Sequence, residues 1–587
     1  MVIFCLSARV LSLHPDKKHA GVLAPLFAVR GTNDLGIGDT EAIKEVAAWC
    51  ARNGLTVLQI LPINETGGDH SPYNILSSIA IDAITIATIP GILPDLSKDA
   101  YAKIATEERL VPLLAGPVQY GEVSKLKWEL LTAAYANFRS KELRKKTKRA
   151  SAFMEFLAEN EEWIADYILF RALLATHLGD EVVDQWPKEH RSPAAAREWL
   201  KELPAAERRK FREREHFYGY VQWIAHTQWA GVKETCEKLG VALMGDIPVG
   251  VSLYSADVFA EPEIFDLSRS CGAPPEHVFA ADPFTSKWGQ NWGFPLYKWE
   301  SMERDNYRWW RRRLRCMRGI FHFLRVDHAL GFFRIYSFPW RPERNGEFLP
   351  LSKEEAMRLT DGRLPCFMLR DDSTLENQLL NREQGERLFK MIIEETGEHR
   401  VVAEDLGEVA PYVRPSLLKL EVPGFKIPQW ERNQYGQLTP GADYPRLSLA
   451  TYATHDHEPI HRLWDDWCAF SSSPDGGRAD WARRSMRELL EFCGRTDIQT
   501  PQPYSEPIRA ALLEGLYKTN AWLAVNMITD LLGLSDRFNV PGAVGSANWT
   551  HRITPPISEW DTVWAEQLAT NRAALERTGR VSGAACP

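Results

Sequence analysis

The sequence lacks any sign of a disulfide framework. Its nine cysteines (Cys5, Cys50, Cys236, Cys271, Cys316, Cys366, Cys468, Cys493, Cys586) are scattered, odd in number and never in a CxxC spacing. That excludes a stapled scaffold or a zinc ribbon and reads as reduced thiols in a cytoplasmic protein. No apolar stretch approaches the roughly 20 residues of a membrane span. The opening MVIFCLSARVL has a short apolar run without a basic residue ahead of it, which is poor for a signal peptide. Positive charge is not in excess either: 70 Lys and Arg against 78 Asp and Glu leave a net charge of −8, no footprint for nucleic acid or an anionic membrane. Two basic runs, SKELRKKTKRA (140–150) and ERRKFRERE (207–215), are interleaved with glutamate and read as solvated helix faces. Internal repeats and low-complexity segments are also missing.

What is present is an ordinary globular composition, 44% hydrophobic and 25% charged over 587 residues, enough for a large barrel with insertions or for several domains. Eight segments share one pattern, an apolar run finishing in polar or charged residues: APLFAVRG (24–31), LTVLQILPI (55–63), VALMGDIPVG (241–250), FHFLRVDH (321–328), RVVAEDLG (400–407), GFKIPQW (424–430), LATYATHD (449–456) and LAVNMITDLLG (523–533). Separated by helical stretches such as DTEAIKEVAAWCARNG (39–54), they predict repeated βα units and an α/β fold, a (β/α)8 TIM barrel with its site at the carboxyl ends of the strands. The spacing predicts barrel over 1–64, a large, mainly helical insertion between strands 2 and 3 (65–239), and the remaining barrel over 240–587. Smaller insertions are expected after strand 4, near 337–395, and after strand 7, near 459–520. The 21 tryptophans suit sugar platforms, although most tryptophans serve in cores.

Three of the strands expected in these segments end in an acid: Asp327 on the fourth, Glu404 on the fifth and Asp456 on the seventh. On a barrel all three point into one bowl. Retaining cleavage of a glycosidic bond needs one carboxylate as nucleophile and another as general acid and then base, about 5 Å apart. Neighbouring strands, roughly 4.8 Å apart, supply that separation, and a third carboxylate can favour developing positive charge. Arg325 shares a face with Asp327 by the period-two rule, so it is read as lowering and orienting that acid. Glu404 needs a raised pKa, which crowding by negative charge would provide. Each residue also has a plainer reading: a structural Arg325–Asp327 ion pair, a helix-capping Glu404, a turn at THD. A metal site from His328, His455, His457, Asp327 and Asp456 ranks lower, because alternate residues of a strand face opposite ways.

These motifs, in this order, resemble the amylomaltase or disproportionating-enzyme family, the 4-α-glucanotransferases of the α-amylase clan. The matching stretches are GTNDLGIGD (31–39), LPINETGGDHSPYNILSS (61–78), GDIPVGVSLYSADVFAEPEIF (245–265), APPEHVF (273–279), GQNWGFPLYKWE (289–300), FLRVDHALGFF (323–333), VVAEDLGEV (401–409), ATHD (453–456) and VPGAVGSANWTHRI (540–553). The resemblance implies Asp327 as nucleophile, Glu404 as acid/base and Asp456 as transition-state stabiliser, with Arg325 beside the nucleophile. It implies that Tyr73, Asp246, His328 and His455 contact the sugar, and that Gln290 and Trp292 belong to a loop over the site. The substrates implied are α-1,4-glucans and maltooligosaccharides, with no cofactor and no metal; the oligomeric state stays open. GTNDLGIGD has neither Walker nor Rossmann spacing and is read as a βα loop.

Three departures from the family pattern bear on which glucans fit: the extended VFAADPFTSKW (278–288), HEPIHRLWDDW after THD, and Asn433 in place of an aspartate. Two other readings stay open, an α-1,4-glucan hydrolase on the same triad and a non-catalytic glucan-binding or regulatory protein. A metal-dependent hydrolase ranks last.

Overall fold

A computed structural model describes residues 11, 13–275, 282–541 and 547–580. Eight parallel strands close into a barrel in chain order: β1 (His19–Leu23), β2 (Val57–Gln59), β3 (Ala242–Ile247), β4 (Phe323–Val326), β5 (Val401–Ala403), β6 (Gly424–Lys426), β7 (Ser448–Ala450) and β8 (Leu523–Met527). The strands are covered on both faces, which is why their sequences are continuous apolar runs. Phe321, Phe323, Leu324 and Val326 are all at most 3% exposed.

Seven of the eight anticipated segments overlap a barrel strand; the first does not. APLFAVRG holds a short 3-10 turn, Leu26–Ala28, and β1 lies just before it in HAGVL. The ladder ends at Ala24, whose N–H donates to Gln59 O at 3.0 Å, because Pro25 has no N–H to continue it. Gly21 hides the strand from sequence reading, yet the barrel requires it: a Cβ there would stand 2.7 Å from Val57 Cβ.

The helix after β1, Thr40–Arg52, starts where the Asp39 side chain accepts from Glu41 N and Ala42 N, and buries Ile43, Val46, Ala47 and Cys50 against the barrel. Between β2 and β3 run seven longer helices, from Lys98–Ile104 to the 35-residue Ala205–Leu239. The basic run at 207–215 lies on the solvated part of that last helix, apart from buried Phe211.

An excursion after β3 was not anticipated. Residues from this segment and from the segment after β4 together form a four-stranded antiparallel sheet, in the order Cys366–Met368, Ile335–Phe338, Ser270–Ala273, Gln290–Asn291. The helix Leu375–Thr396 then returns to the barrel wall, where Phe389 packs on Phe332 and Phe333. Of the departing segment 278–288, residues 278–281 lie outside the described residues; Asp282 caps a helix over Pro283–Trp288. After β7 come the helices Ile460–Phe470 and Gly476–Phe492. Among the described residues no helix is long and apolar enough to cross a membrane.

Candidate active site

The end of β3 and the end of β4 place Asp246 and Arg325 opposite one another in register. Arg325, 2% exposed, donates from Nη1 to Asp246 Oδ1 at 2.8 Å, to Asp246 Oδ2 at 2.7 Å and to Asp327 Oδ1 at 3.0 Å. Its Nη2 lies 3.9 Å from Glu404 Oε2. The sequence reading gave Arg325 to Asp327 alone. In the fold its tightest partner is Asp246, because the parallel register puts that carboxylate directly across the strand pair. Burial works against the guanidinium, but the carboxylates of Asp246 and Asp327 hold its pKa well above the ordinary value. Burial pushes the Asp246 carboxyl up, and Arg325 opposes that.

Asp327 and Glu404 each follow the last residue of a strand, and those last residues, Val326 and Ala403, are register partners. The two acids therefore stand side by side on neighbouring strands. Asp327 Oδ2 accepts from Val249 N at 3.3 Å. Immediately beyond it, His328 takes a left-handed conformation, φ +42° and ψ +55°, sparsely populated for a residue with a Cβ. That bend turns its N–H onto Glu404 Oε2 at 2.9 Å, while Leu406 N donates to Oε1 at 2.8 Å. Glu404 does not cap the helix that follows it in the chain, which begins only at Val413.

Burial pushes the Glu404 carboxyl up to about 8; the charge of Asp327 pushes the same way, and Arg325 and the Leu406 N–H pull back. Desolvation is thus the larger cause, where the sequence reading expected crowding by negative charge. Burial lowers His328 to about 4, so that ring is neutral at pH 7.

Asp456 is not at a strand end. β7 finishes at Ala450, and THDH is a tight turn: His457 N donates to Thr454 O at 3.1 Å and His457 Nδ1 lies 2.8 Å from Thr454 Oγ1. The alternation of faces assumed for a strand does not apply. Asp456 Oδ2 is 3.2 Å from His455 Nε2, and Oδ1 accepts from Asn539 Nδ2 at 2.6 Å. Burial would raise this acid, but the two histidines and Asn539 hold it below the usual carboxylate range. Arg537 Nη2 fixes the backbone by donating to Asp456 O at 2.8 Å. Sequence reading missed Arg537 and Asn539. They sit in DRFNVPG, whose last three residues open the motif VPGAVGSANWTHRI, but nothing local marks them as partners of an acid 83 positions away.

The other anticipated contacts gather around these acids. Tyr73 OH donates to Asp246 Oδ2 at 2.7 Å, and its ring stacks on His455 with centroids 5.0 Å apart. Burial and the Asp246 charge keep that phenol protonated. Trp292 packs edge-on to His328 at 4.9 Å and donates from Nε1 to Gln290 Oε1 at 3.1 Å, so Gln290 joins the site through Trp292. Among the described residues no group of three or more His, Cys, Asp or Glu side chains is disposed to hold a metal ion.

Fold and bowl together define a (β/α)8-barrel enzyme with its acids at the carboxyl end of the strands. A family model described as 4-alpha-glucanotransferase matches residues 24–558, and the chain belongs to that family. It is 29% identical to the 4-alpha-glucanotransferase of Chlamydia caviae, over 94% of this chain and 93% of that one, and 28% identical to that of Thermus thermophilus, over 96% and 99%. Among solved structures it is similar to the amylomaltase from Streptococcus agalactiae in complex with acarbose, with a TM-score of 0.73 at 22% identity, covering 96% of this chain and all of that one. That likeness concerns the fold.

Proposed function

We propose that the chain is a retaining 4-α-glucanotransferase, moving glucosyl or maltooligosaccharyl units between α-1,4-glucans through a covalent glucosyl-enzyme. The observation that carries the reading is the side-by-side placement of Asp327 and Glu404 on register-paired strands, since neighbouring strands lie roughly 4.8 Å apart and a retaining pair needs its carboxyls about 5 Å apart. The environments of the two acids differ as the chemistry needs. Asp327 keeps a guanidinium hydrogen bond, while Glu404 is buried and held protonated at neutral pH.

In this reading Asp327 attacks the anomeric carbon while Glu404 gives its proton to the departing glycosidic oxygen, leaving a β-linked glucosyl ester on Asp327. The shortened glucan leaves. The 4-hydroxyl of a second glucan then gives its proton to ionised Glu404 and attacks the same carbon, releasing Asp327 and restoring the α-linkage. Asp456, kept ionised by His455 and Asn539, faces the positive charge that develops at the ring. Tyr73, Asp246, His328 and His455 bind the sugar at the cleavage point, and Trp292 with Gln290 closes one side. None of these steps calls on a cofactor or metal. The family and the acarbose-bound relative support glucans as substrates. We also place the protein in the cytoplasm, a reading supported by the free thiols of all seven described cysteines.

The deciding experiment is chromatographic product analysis with maltotriose, beside an Asp327→Asn variant. Longer maltooligosaccharides plus glucose, absent with the variant, establish transfer through that acid. Glucose and maltose alone make the protein a hydrolase, and no turnover on maltose, maltotriose or soluble starch makes it a binding protein.

A further inference from the structure

Among the described residues only three Phe, Trp or Tyr side chains stand largely in solvent: Trp430 at 50%, Tyr435 at 78% and Trp481 at 49% exposure. All three belong to one corner of the molecule. Trp430 follows β6 and leads into a small hairpin, closed by the Arg432–Leu438 bridge and by Thr439 N donating to Glu431 O at 2.8 Å. Tyr435 is at its tip. Arg432 Nη2 reaches Glu488 Oε2 at 2.9 Å on the helix Gly476–Phe492. Trp481 precedes Glu488 by two helical turns on the same helix, and therefore on the same face.

The tip is rigid. Asn433 Oδ1 accepts from Tyr435 N at 2.9 Å and from Gln437 N at 3.1 Å, and Arg432 Nη1 donates to Gly436 O at 2.7 Å. At the base, Glu431 pairs with Lys426 at 3.0 Å and with Arg414 at 3.4 Å. An ordered loop thus holds a phenol ring out in water, where it buries almost nothing of its own fold.

The corner is continuous with the catalytic bowl. The Trp430 ring stands at 79° to His457 with centroids 4.7 Å apart, and His457 is the residue after Asp456. Indole and phenol faces stack on the C–H faces of pyranose rings, and Asn433, Gln437, Arg432 and Glu488 interleave hydroxyl-bonding groups with them. We propose that Trp430, Tyr435 and Trp481 form an outer platform along which an α-1,4-glucan chain lies as it enters the bowl. The proposal rests on the glucan reading above and adds a second, chain-length-selective binding surface to it. From hairpin base to tip the four-residue arm reaches about 13 Å, so the platform is proposed to engage a long chain rather than a trisaccharide held at the acids. Asn433, a departure from the family pattern, acts here by building the tip that presents the tyrosine.

The test uses the full chain with Tyr435→Ala, Trp481→Ala and the double variant. Each is run through native gels with and without soluble starch and assayed on maltotriose and on amylose. Wild type should be retarded by starch, and the double variant should lose most of that retardation. Its kcat/KM on amylose should fall about five- to tenfold, the scale of one to two aromatic stacking contacts, with maltotriose turnover within twofold of wild type. Unchanged retardation and unchanged amylose kinetics overturn the proposal, as does an equal loss on both substrates. A shift in oligomeric state on size exclusion in the variants also overturns it, by making the corner a contact between copies of this chain. If wild type fails to turn over maltotriose yet its starch retardation depends on Tyr435, the platform stands and the catalytic reading falls.

Discussion

Arg325 and Asp246 face each other in register across β4 and β3, with one guanidinium nitrogen 2.8 and 2.7 Å from the two carboxyl oxygens. Both are 2% exposed. The same nitrogen also holds Asp327, so the structure ties the orientation of one acid to the presence of another. Breaking a buried pair from one side leaves an uncompensated charge, at a cost of about 3–5 kcal/mol. Asp246→Ala should therefore lower the thermal midpoint and reduce kcat/KM on maltotriose at least a hundredfold. Asp246→Asn, which keeps the shape and one acceptor, should fall between the two in both measurements. A variant with wild-type stability would remove the pair from the supports of the bowl.

In the proposed mechanism Glu404 sets an alkaline limit. With the carboxyl raised to about 8 by burial, it is protonated below that pH and can donate to the leaving oxygen. Activity should therefore be held through neutrality and lost as pH rises through about 8. Glu404→Gln should lower kcat/KM by roughly 10²–10⁴ and abolish that limb. An α-glucosyl fluoride, whose leaving group needs no proton, should restore the first step in the variant. A pH profile of kcat/KM on both donors checks all three points.

Asn539 Nδ2 donates to Asp456 Oδ1 at 2.6 Å. Losing one bond to a charged group costs about 1.5–3 kcal/mol. In the proposed mechanism Asp456 faces a charge that develops only in the transition state, so Asn539→Ala should lower kcat some ten- to a hundredfold with little change in KM. A rise in KM alone would assign Asn539 to ground-state binding instead.

Gly245, the residue before Asp246, allows β3 to approach Phe321: a Cβ there would stand 2.4 Å from the ring. Gly245→Ala should cost about 1–3 kcal/mol by overpacking and displace Asp246, lowering both the thermal midpoint and the maltotriose rate. Adding Phe321→Leu should recover part of the stability.

How much of this was legible follows from how local each signal is. FHFLRVDH announced a strand covered on both faces, since only such a strand carries unbroken aromatic and β-branched bulk, and its terminal charges were conspicuous for the same reason. The first strand was displaced because Gly21 and His19 carry little strand signal, while the apolar residues after Pro25 carry much. THDH read as a strand end because apolar LATYA precedes it, although hydrogen bonds between Thr454 and His457 close a turn there.

By itself the sequence located seven of the eight barrel strands and picked out the three acids in their chain order, because burial patterns and residue types are written along the chain. Tertiary structure decided the partners and the protonation. That Arg325 serves Asp246 first, that Asn539 holds Asp456, and that Glu404 is raised chiefly by desolvation depend on distances and water exclusion that exist only once the barrel closes. Coulombic and hydration energies are functions of those distances, and residues far apart in sequence acquire them only in the fold.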